Sequence, residues 1–307
     1  MNHICYCDGQ VRVEKNELWE RLQNFIEKYT PQIVLWFAAL FRKQEKDLSH
    51  DAVREAIVTD DIPLNLSVTW EAQWKDCVSR HIKSSWTDVS QAAAQQTIAE
   101  TLPQATATRF DPMADNILQW IDHHGAEFVT NCVQTQIDAL RAVIHNAATC
   151  SQGIHVDQLA RAIRPMTGLS RPQASANWHY YTTLIDGGTS PQRAQILSTR
   201  YAKRQRTYRS YLIARTEIAY AYNRGAYEAI RQAQTSGLLG PVVKVWRTAA
   251  TERTCPLCRQ LEGVSIDMEE EFSYPTRLDF AGIRRAPPAH PNCMCQVEYK
   301  IDPKQPM

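Results

Sequence analysis

Apolar residues recur at three- and four-residue steps through most of the first 150 positions, the spacing of helix faces. After a polar tail or short strand over 1–13, the pattern turns helical at Glu14, and Leu18, Leu22, Phe25, Ile26 and Tyr29 share one face. Thr30-Pro31 reads as an N-cap followed by proline at the first helical position, so a new helix is predicted from there. It carries Ile33, Val34, Leu35, Trp36, Phe37 and Leu40, apolar nearly all round, which suits either deep burial or presentation to a partner. Asp60-Asp61-Ile62-Pro63 breaks the pattern. A further helix is predicted over 69–102, with Trp70, Trp74, Cys77, Val78, Ile82, Trp86 and Val89 recurring and Pro103 as its stop. Asp111-Pro112 repeats the N-cap and proline signature. The helix after it carries Ile117, Leu118, Ile121, Phe128, Val129, Val133, Ile137, Leu140 and Ile144, with Gly125 as the place for a bend.

Beyond Cys150-Ser151-Gln152-Gly153 the pattern changes. A short helix over 154–163 ends at Arg164-Pro165. Ser170 and Gln173 form a capping box for a helix bearing Trp178, Tyr181 and Leu184, which closes at Gly187-Gly188. Ser190-Pro191 starts another. The longest helical stretch is predicted over 208–234, with a stripe of Tyr211, Leu212, Ile218, Ala219, Tyr222, Ala226 and Ile230, stopped by Gly237 and Gly240-Pro241. Val242-Val243-Lys244-Val245-Trp246 reads as a strand, Leu261-Glu262-Gly263 as a turn, and 269–271 as a solvated acidic loop. A last strand over 294–301 alternates Cys295, Val297 and Tyr299 against Gln296, Glu298 and Lys300. The expected fold is mainly α with a small C-terminal α+β part. Residues 1–150 form an all-helical N-terminal region and 151–307 a helical/β domain.

Length and composition bound this picture without sharpening it. The 307 residues allow two domains, and 44% hydrophobic with 22% charged residues is ordinary for a globular protein. Thirty-four basic against 33 acidic residues leave a formal charge of +1, which announces no nucleic acid or membrane partner by itself. The first eight residues have no basic or apolar signal region, so no signal peptide is expected. The longest apolar run, 33–41, is too short to span a bilayer. Nine cysteines, several inside helical patterns, suit a reducing cytoplasm better than secretion.

Candidate chemistry gathers near the end. Cys255-Pro256-Leu257-Cys258 and His290-Pro291-Asn292-Cys293-Met294-Cys295 put four cysteines and one histidine within about 40 residues, while the other five cysteines scatter over the first 150. Two residues between ligands let one tight turn aim both side chains at one metal, and both the first pair and His290 with Cys293 have that spacing. Cys295 is a spare donor that would share a strand face with Cys293. The spacing predicts one closed structural zinc per chain, held by Cys255, Cys258, His290 and one of Cys293 or Cys295, with Cys293 preferred. Five candidate donors argue against an open catalytic position. The plainer alternatives are reduced thiols sharing a small β region, or disulfides. A structural zinc contributes on the order of 10–16 kcal/mol in small peptides, enough to pin the last strand beside the strand at 242–246. Cys5 and Cys7 have no donors nearby in sequence and read as bystanders; His123, His124, His145 and His155 read as surface or core residues.

Between 193 and 231 the basic residues Arg193, Arg200, Lys203, Arg204, Arg206, Arg209, Arg215, Arg224 and Arg231 face only Glu217 and Glu228. Tyr201, Tyr208 and Tyr211 interleave with them, making Arg200, Lys203, Arg204, Arg206 and Arg209 candidate nucleic-acid contacts. A solvated basic helix face is an equal alternative. Arg215, four residues from Tyr211, is predicted to be partly buried and to need a carboxylate partner. With Glu217 and Asn223 it reads as a structural polar network.

Several of these residues carry a resemblance. Ile213-Ala214-Arg215-Thr216-Glu217 with Asn223-Arg224-Gly225, Trp246, Arg253-Thr254-Cys255-Pro256-Leu257-Cys258, Leu261-Glu262-Gly263 and Pro288-Ala289-His290-Pro291-Asn292-Cys293-Met294-Cys295 together resemble the phage Mu F-like head morphogenesis (minor capsid) family. Gly168-Leu169-Ser170 and Gly188-Thr189-Ser190-Pro191 are similar too, and the likeness covers roughly 155–302. Family members usually show Arg between the last two cysteines, where Met294 stands here. The resemblance implies a low-copy, non-enzymatic protein of a tailed phage head. It would be assembled in the host cytoplasm without a membrane and bound inside the procapsid near the portal. Its expected partners are the portal, the major capsid or scaffolding protein and packaged double-stranded DNA, with residues 1–150 docking on portal or capsid. Two alternatives stay open: a zinc-containing DNA-binding or packaging factor, and a metal-dependent nuclease or toxin-like enzyme using His290 with Arg215 and Glu217.

Overall fold

Proline at position 31 starts no helix: α1 (Lys15–Asp47) runs through it. The N-cap signature is local, whereas both flanks carry a buried face, Leu22 and Ile26 before the proline and Ile33, Phe37, Leu40 and Phe41 after it. An interior proline costs about 3 kcal/mol, comparable to what one or two such side chains contribute on burial. The 33–41 run is one-sided, since Leu35 is 62% exposed while Ile33 and Phe37 are sealed.

The computed structural model describes residues 15–101, 111, 114–150, 154–249, 251–252, 254–273 and 286–302. Cys5, Cys7, Pro103, Pro112 and Arg253 lie outside the described residues. After α1 come α2 (His50–Thr59), α3 (Leu64–Cys77), a π turn (Val78–Ile82), α4 (Lys83–Thr101) and α5 (Asp115–Cys150). Then follow α6 (Val156–Ile163), a 3₁₀ turn (Arg164–Met166), α7 (Arg171–Asp186), α8 (Pro191–Thr235), β1 (Val242–Arg247), α9 (Pro256–Leu261), β2 (Ser265–Asp267) and β3 (Gln296–Ile301). The expected mainly α fold with a small C-terminal sheet is what forms. Several boundaries differ from the sequence reading. α2 begins at a break the apolar pattern hides, where Ser49 Oγ accepts from Ala52 N at 3.0 Å. The helix predicted over 69–102 starts at Leu64 and contains the π turn. α5 remains helical through Gly125, and the stretches starting at 191 and 208 are one 45-residue helix. The capping box of α7 forms as predicted, with Ser170 N donating to Gln173 Oε1 at 3.1 Å.

The chain divides into two compact units, and α1, α4, α5 and α8 contribute residues to both. Each unit draws on residues from both sides of position 150. One unit, 31–84 with 119–212, is built on aromatic packing. Trp74 meets Phe37 at 5.3 Å, Phe41 at 5.8 Å and Phe128 at 5.6 Å between ring centroids. Its indole donates to Gln136 Oε1 at 2.8 Å, and Gln136 Nε2 donates to Gln44 Oε1 at 3.0 Å, which pairs the indole and both ends of the Gln136 amide. Arg164 donates to the carbonyls of Glu45 (3.0 Å) and Leu48 (2.8 Å), capping the end of α1. Trp70 and Trp74 are buried in this unit's core, and Trp86 is buried in the other unit.

The other unit, 1–30, 85–118 and 213–307, holds the sheet, in the order β2-β1-β3, all antiparallel. Trp246 pairs with Val297 and Lys244 with Tyr299, so the two predicted strands are neighbours. β2 was not foreseen; it is three residues long. Within this unit α8 touches α4 closely. Ser90 Oγ donates to Ala221 O at 3.0 Å, and a Cβ on Gly225 would lie 2.5 Å from the Ser90 Cα and closer still to its carbonyl oxygen. Two effects oppose each other in Gly225→Ala: helix propensity favours alanine by about 1 kcal/mol, and overpacking against rigid backbone costs typically about 1–3 kcal/mol or more. The backbone contact decides the sign, so this variant is expected to unfold at lower denaturant than the parent, by roughly 1–2 kcal/mol. A midpoint that stays or rises would show that α4 and α8 do not meet at Gly225.

Candidate metal centre

Two tight turns build the site. In the first, Cys255 is the N-cap of α9, with extended backbone, and its Sγ accepts from Cys258 N at 3.3 Å. Pro256 at the first helical position lacks the N–H that would go unpaired there, so the turn closes at little cost. In the second, Cys293 N donates to His290 O at 3.0 Å and Asn292 takes φ 62°, a left-handed conformation that asparagine tolerates better than most residues. Each turn thus points its first and fourth side chains the same way.

The turns meet. His290 Nε2 lies 3.1 Å from Cys255 Sγ and 3.4 Å from Cys258 Sγ, and Cys258 Sγ lies 3.8 Å from Cys293 Sγ. Two thiolates at 2.3 Å from a tetrahedral zinc are separated by about 3.8 Å, and a thiolate and an imidazole by about 3.5 Å. Each of these three separations is that of two donors on one tetrahedral metal, and this cluster could hold an ion. Two groups of three lie within 4.8 Å of one another: Cys255, Cys258 and His290, and Cys258, Cys293 and Cys295. Cys258 belongs to both. Both late cysteines are buried, and Cys293 also acts electrostatically on His290.

Protonation follows the same geometry. His290 Nδ1 lies 3.0 Å from Pro291 O, so Nδ1 carries the proton and Nε2 presents its lone pair to the thiols. Burial lowers the His290 pKa, but the Pro291 carbonyl and the Cys293 and Cys255 sulfurs outweigh it and raise the value. Hydrogen bonding to Cys293 and Cys295 pushes Cys258 up, and hydrogen bonding from Cys258 holds Cys293 well below the ordinary thiol range. Three adjacent thiols cannot all ionise unless a cation neutralises them, and a bound metal supplies that charge.

The surroundings fix the turns. Trp246 meets Phe272 edge-on at 5.0 Å, within a buried cluster that includes Cys258, Leu261, Ala289, Cys293, Cys295 and Val297. Glu262 accepts from Thr248 N (2.7 Å) and Thr248 Oγ1 (2.6 Å), tying the turn at 261–263 to the end of β1. α8 supplies the rest. Arg215 Nε donates to Asn292 Oδ1 at 2.7 Å, an Arg215 terminal nitrogen donates to Met294 Sδ at 3.1 Å, and Thr216 Oγ1 accepts from Asn292 N at 2.9 Å. Asn223 Nδ2 donates to Cys295 O (3.3 Å) and Ala219 O (2.9 Å), while its Oδ1 accepts from Val297 N (3.2 Å). Glu217 is buried on the same helix. Sequence reasoning singled out Arg215 and Asn223 but missed Thr216, Asn292 and the clamp made by Glu262. An Asn after His-Pro, able to take φ > 0, was the available signal.

The candidate nucleic-acid residues separate. Arg200, Lys203 and Arg204 are exposed. Arg206 and Arg209 are not available: Arg206 pairs with Glu45, and Arg209 is 7% exposed, over the Phe41 ring and donating to Gly168 O at 2.7 Å. Their charge is used inside the fold, where an unpaired guanidinium would be costly. The histidines set aside on sequence have local roles: His145 pairs with Asp60 at 2.7 Å, His124 stacks on Trp120, and His155 caps α6.

Two outcomes follow for the purified protein. Cys255→Ser or Cys258→Ser should lose the metal and cost several kcal/mol, with faster hydrogen exchange in β3; metal content and exchange protection equal to the parent's would remove the centre. Asn223→Ala should cost about 2 kcal/mol in chemical denaturation, because it leaves the buried Val297 N–H and Cys295 C=O without their partner.

Residues 141–298 match the family described as phage Mu protein F like protein. No curated protein matches the chain, and no solved structure does. The matched segment covers just over half of the 307 residues and holds all five metal donors together with Arg215 and Asn223. The chain belongs to the phage Mu protein F-like family.

Proposed function

We propose that this chain is a minor head protein of a tailed phage, bound inside the procapsid beside the portal, and that its thiol–imidazole centre carries one structural zinc. Family membership points to phage head morphogenesis and virion location, and it carries this reading. The metal centre supports a structural role through its donor chemistry. Zinc is the metal that tetrahedral thiolate–imidazole sets suit best. Cys255, Cys258, His290 and Cys293 would hold it. The metal would add folding energy, and the chain's own groups do the positioning: the Pro291 carbonyl sets the His290 tautomer, and Arg215, Thr216 and Asn223 hold the second turn against α8. Docking on the portal, the major capsid or the scaffolding protein belongs to the same proposal. Residues His290, Arg215 and Glu217, which an enzyme would have needed as a reactive set, lie in or around the thiol cluster or within α8.

Quantitative mass spectrometry of purified procapsids and mature heads should find the chain in both at low copy, with about one zinc per chain by elemental analysis of the native protein. Absence from both particles would overturn the head reading. A different metal, or none, would overturn the zinc assignment alone.

A further inference from the structure

Of the nine cations between 193 and 231, five are engaged within the fold: Arg206 with Glu45, Arg209 with Gly168 O, Arg215 with Asn292, Arg224 with Glu228 and Arg231 with Glu269. Among the described residues, Arg200, Lys203 and Arg204 have no carboxylate partner. They share one face of α8 with Thr207, Tyr208 and Tyr211, at positions i, i+3, i+4, i+7, i+8 and i+11, and these six line a shallow depression. No carboxylate lies on that stripe, and the two on α8 between 193 and 231, Glu217 and Glu228, are buried. Tyr208 is 58% and Tyr211 41% exposed, large aromatic surfaces left facing outward. The Arg204 guanidinium sits 5.9 Å from the Tyr201 ring centre, and Tyr201 meets Tyr180 edge-on at 5.4 Å, so this cation stands on a packed mount.

We propose that this face of α8 docks the phosphate backbone of duplex nucleic acid, independent of sequence. Three cations and the Tyr208 phenol present hydrogen-bond donors and positive charge without a competing anion on the stripe, while the Thr207 hydroxyl donates to Lys203 O at 3.1 Å. That is the chemistry of phosphate contact rather than of base reading, which needs paired donors and acceptors aimed at base edges. The stripe runs about 16 Å along the helix axis, the length of about five phosphates on one strand of a duplex. The partner deepens the head-protein reading, on which it rests only for where such nucleic acid is met. Arg206 and Arg209 have no part in it.

Binding of the full-length protein to a short labelled duplex of mixed sequence, followed by anisotropy against salt, tests this. Three phosphate contacts predict a slope of log affinity on log salt of about −2.7. Arg200→Gln, Lys203→Gln and Arg204→Gln combined should bring that slope close to zero without changing the thermal midpoint, because all three side chains are exposed. Arg171→Gln, an exposed cation outside the stripe, should leave it unchanged. The proposal fails if the parent protein does not bind duplex at low salt, or if the triple variant keeps the parent's slope. It also fails if single strands bind more tightly than duplex, which would make Tyr208 and Tyr211 base-stacking groups. Incorporation of the triple variant into procapsids is scored separately. Loss of incorporation without any duplex binding would assign the face to a protein partner, while failure in solution with normal incorporation leaves the head reading standing.

Discussion

The convergence of Cys255, Cys258, His290 and Cys293 is the constraint on which the C-terminal part of this protein depends. Its sheet has strands of six, three and six residues, and three of the eight residues in its main buried cluster are cysteines. Trp246, Phe272, Leu261 and Val297 supply the apolar remainder, each contributing roughly 1.5–3 kcal/mol on burial. A structural metal contributes several times as much as any one of them, on the order of 10–16 kcal/mol. Without it, three thiols and an imidazole would be a buried polar cluster competing over protons. A bound metal would cross-link the turn before β2 to the turn before β3.

A cross-link between two turns still needs a surface to lie on, and α8 provides it. Arg215, Thr216, Ala219 and Asn223 lie one, three or four residues apart, so one face of the helix meets the second turn and the start of β3. Each bond goes to backbone, or to Asn292 and Met294, which lie between the candidate ligands. α8 therefore sets where the second turn sits. Gly225, two residues beyond Asn223, lets the same helix approach Ser90 of α4 where any side chain would obstruct. A short sequence segment thus serves both the metal turn and a helix contact.

Much of this was legible in the sequence, for identifiable physical reasons. Ligand spacing is imposed by turn geometry, so the CxxC and HxxC steps could be read directly. The capping box of α7 and the β-branched run of β1 are equally local. What stayed hidden depends on tertiary packing. Thr30-Pro31 has the local chemistry of a helix start, yet buried faces on both sides carry α1 through it. The polar stretch after Pro191 looks like a separate helix, but it contains no breaker, and Arg206 on it pairs with Glu45. Arg209 and Lys244 look solvent-facing by composition. Arg209 is sealed against Phe41 and Gly168 O, and Lys244, fully buried, donates to Glu270 O at 2.7 Å beside the Tyr227 and Phe272 rings. Charge alone cannot distinguish these from Arg200 or Lys203.

The choice between Cys293 and Cys295 shows where spacing arguments end. Strand alternation predicts that the two share a face, but β3 begins at Gln296, so neither belongs to the strand. Both thiols instead reach Cys258 because residues 293–295 follow a tight turn. Their backbones decide what each can do. Cys293 N is committed to the turn through His290 O, which ties its sulfur to the imidazole. Cys295 O accepts from Asn223 Nδ2 on α8. The turn spacing favours Cys293 as the fourth donor, and both late cysteines lie within reach of Cys258. Were a metal held by Cys293, Cys295 would remain beside it as a further thiol of the same group.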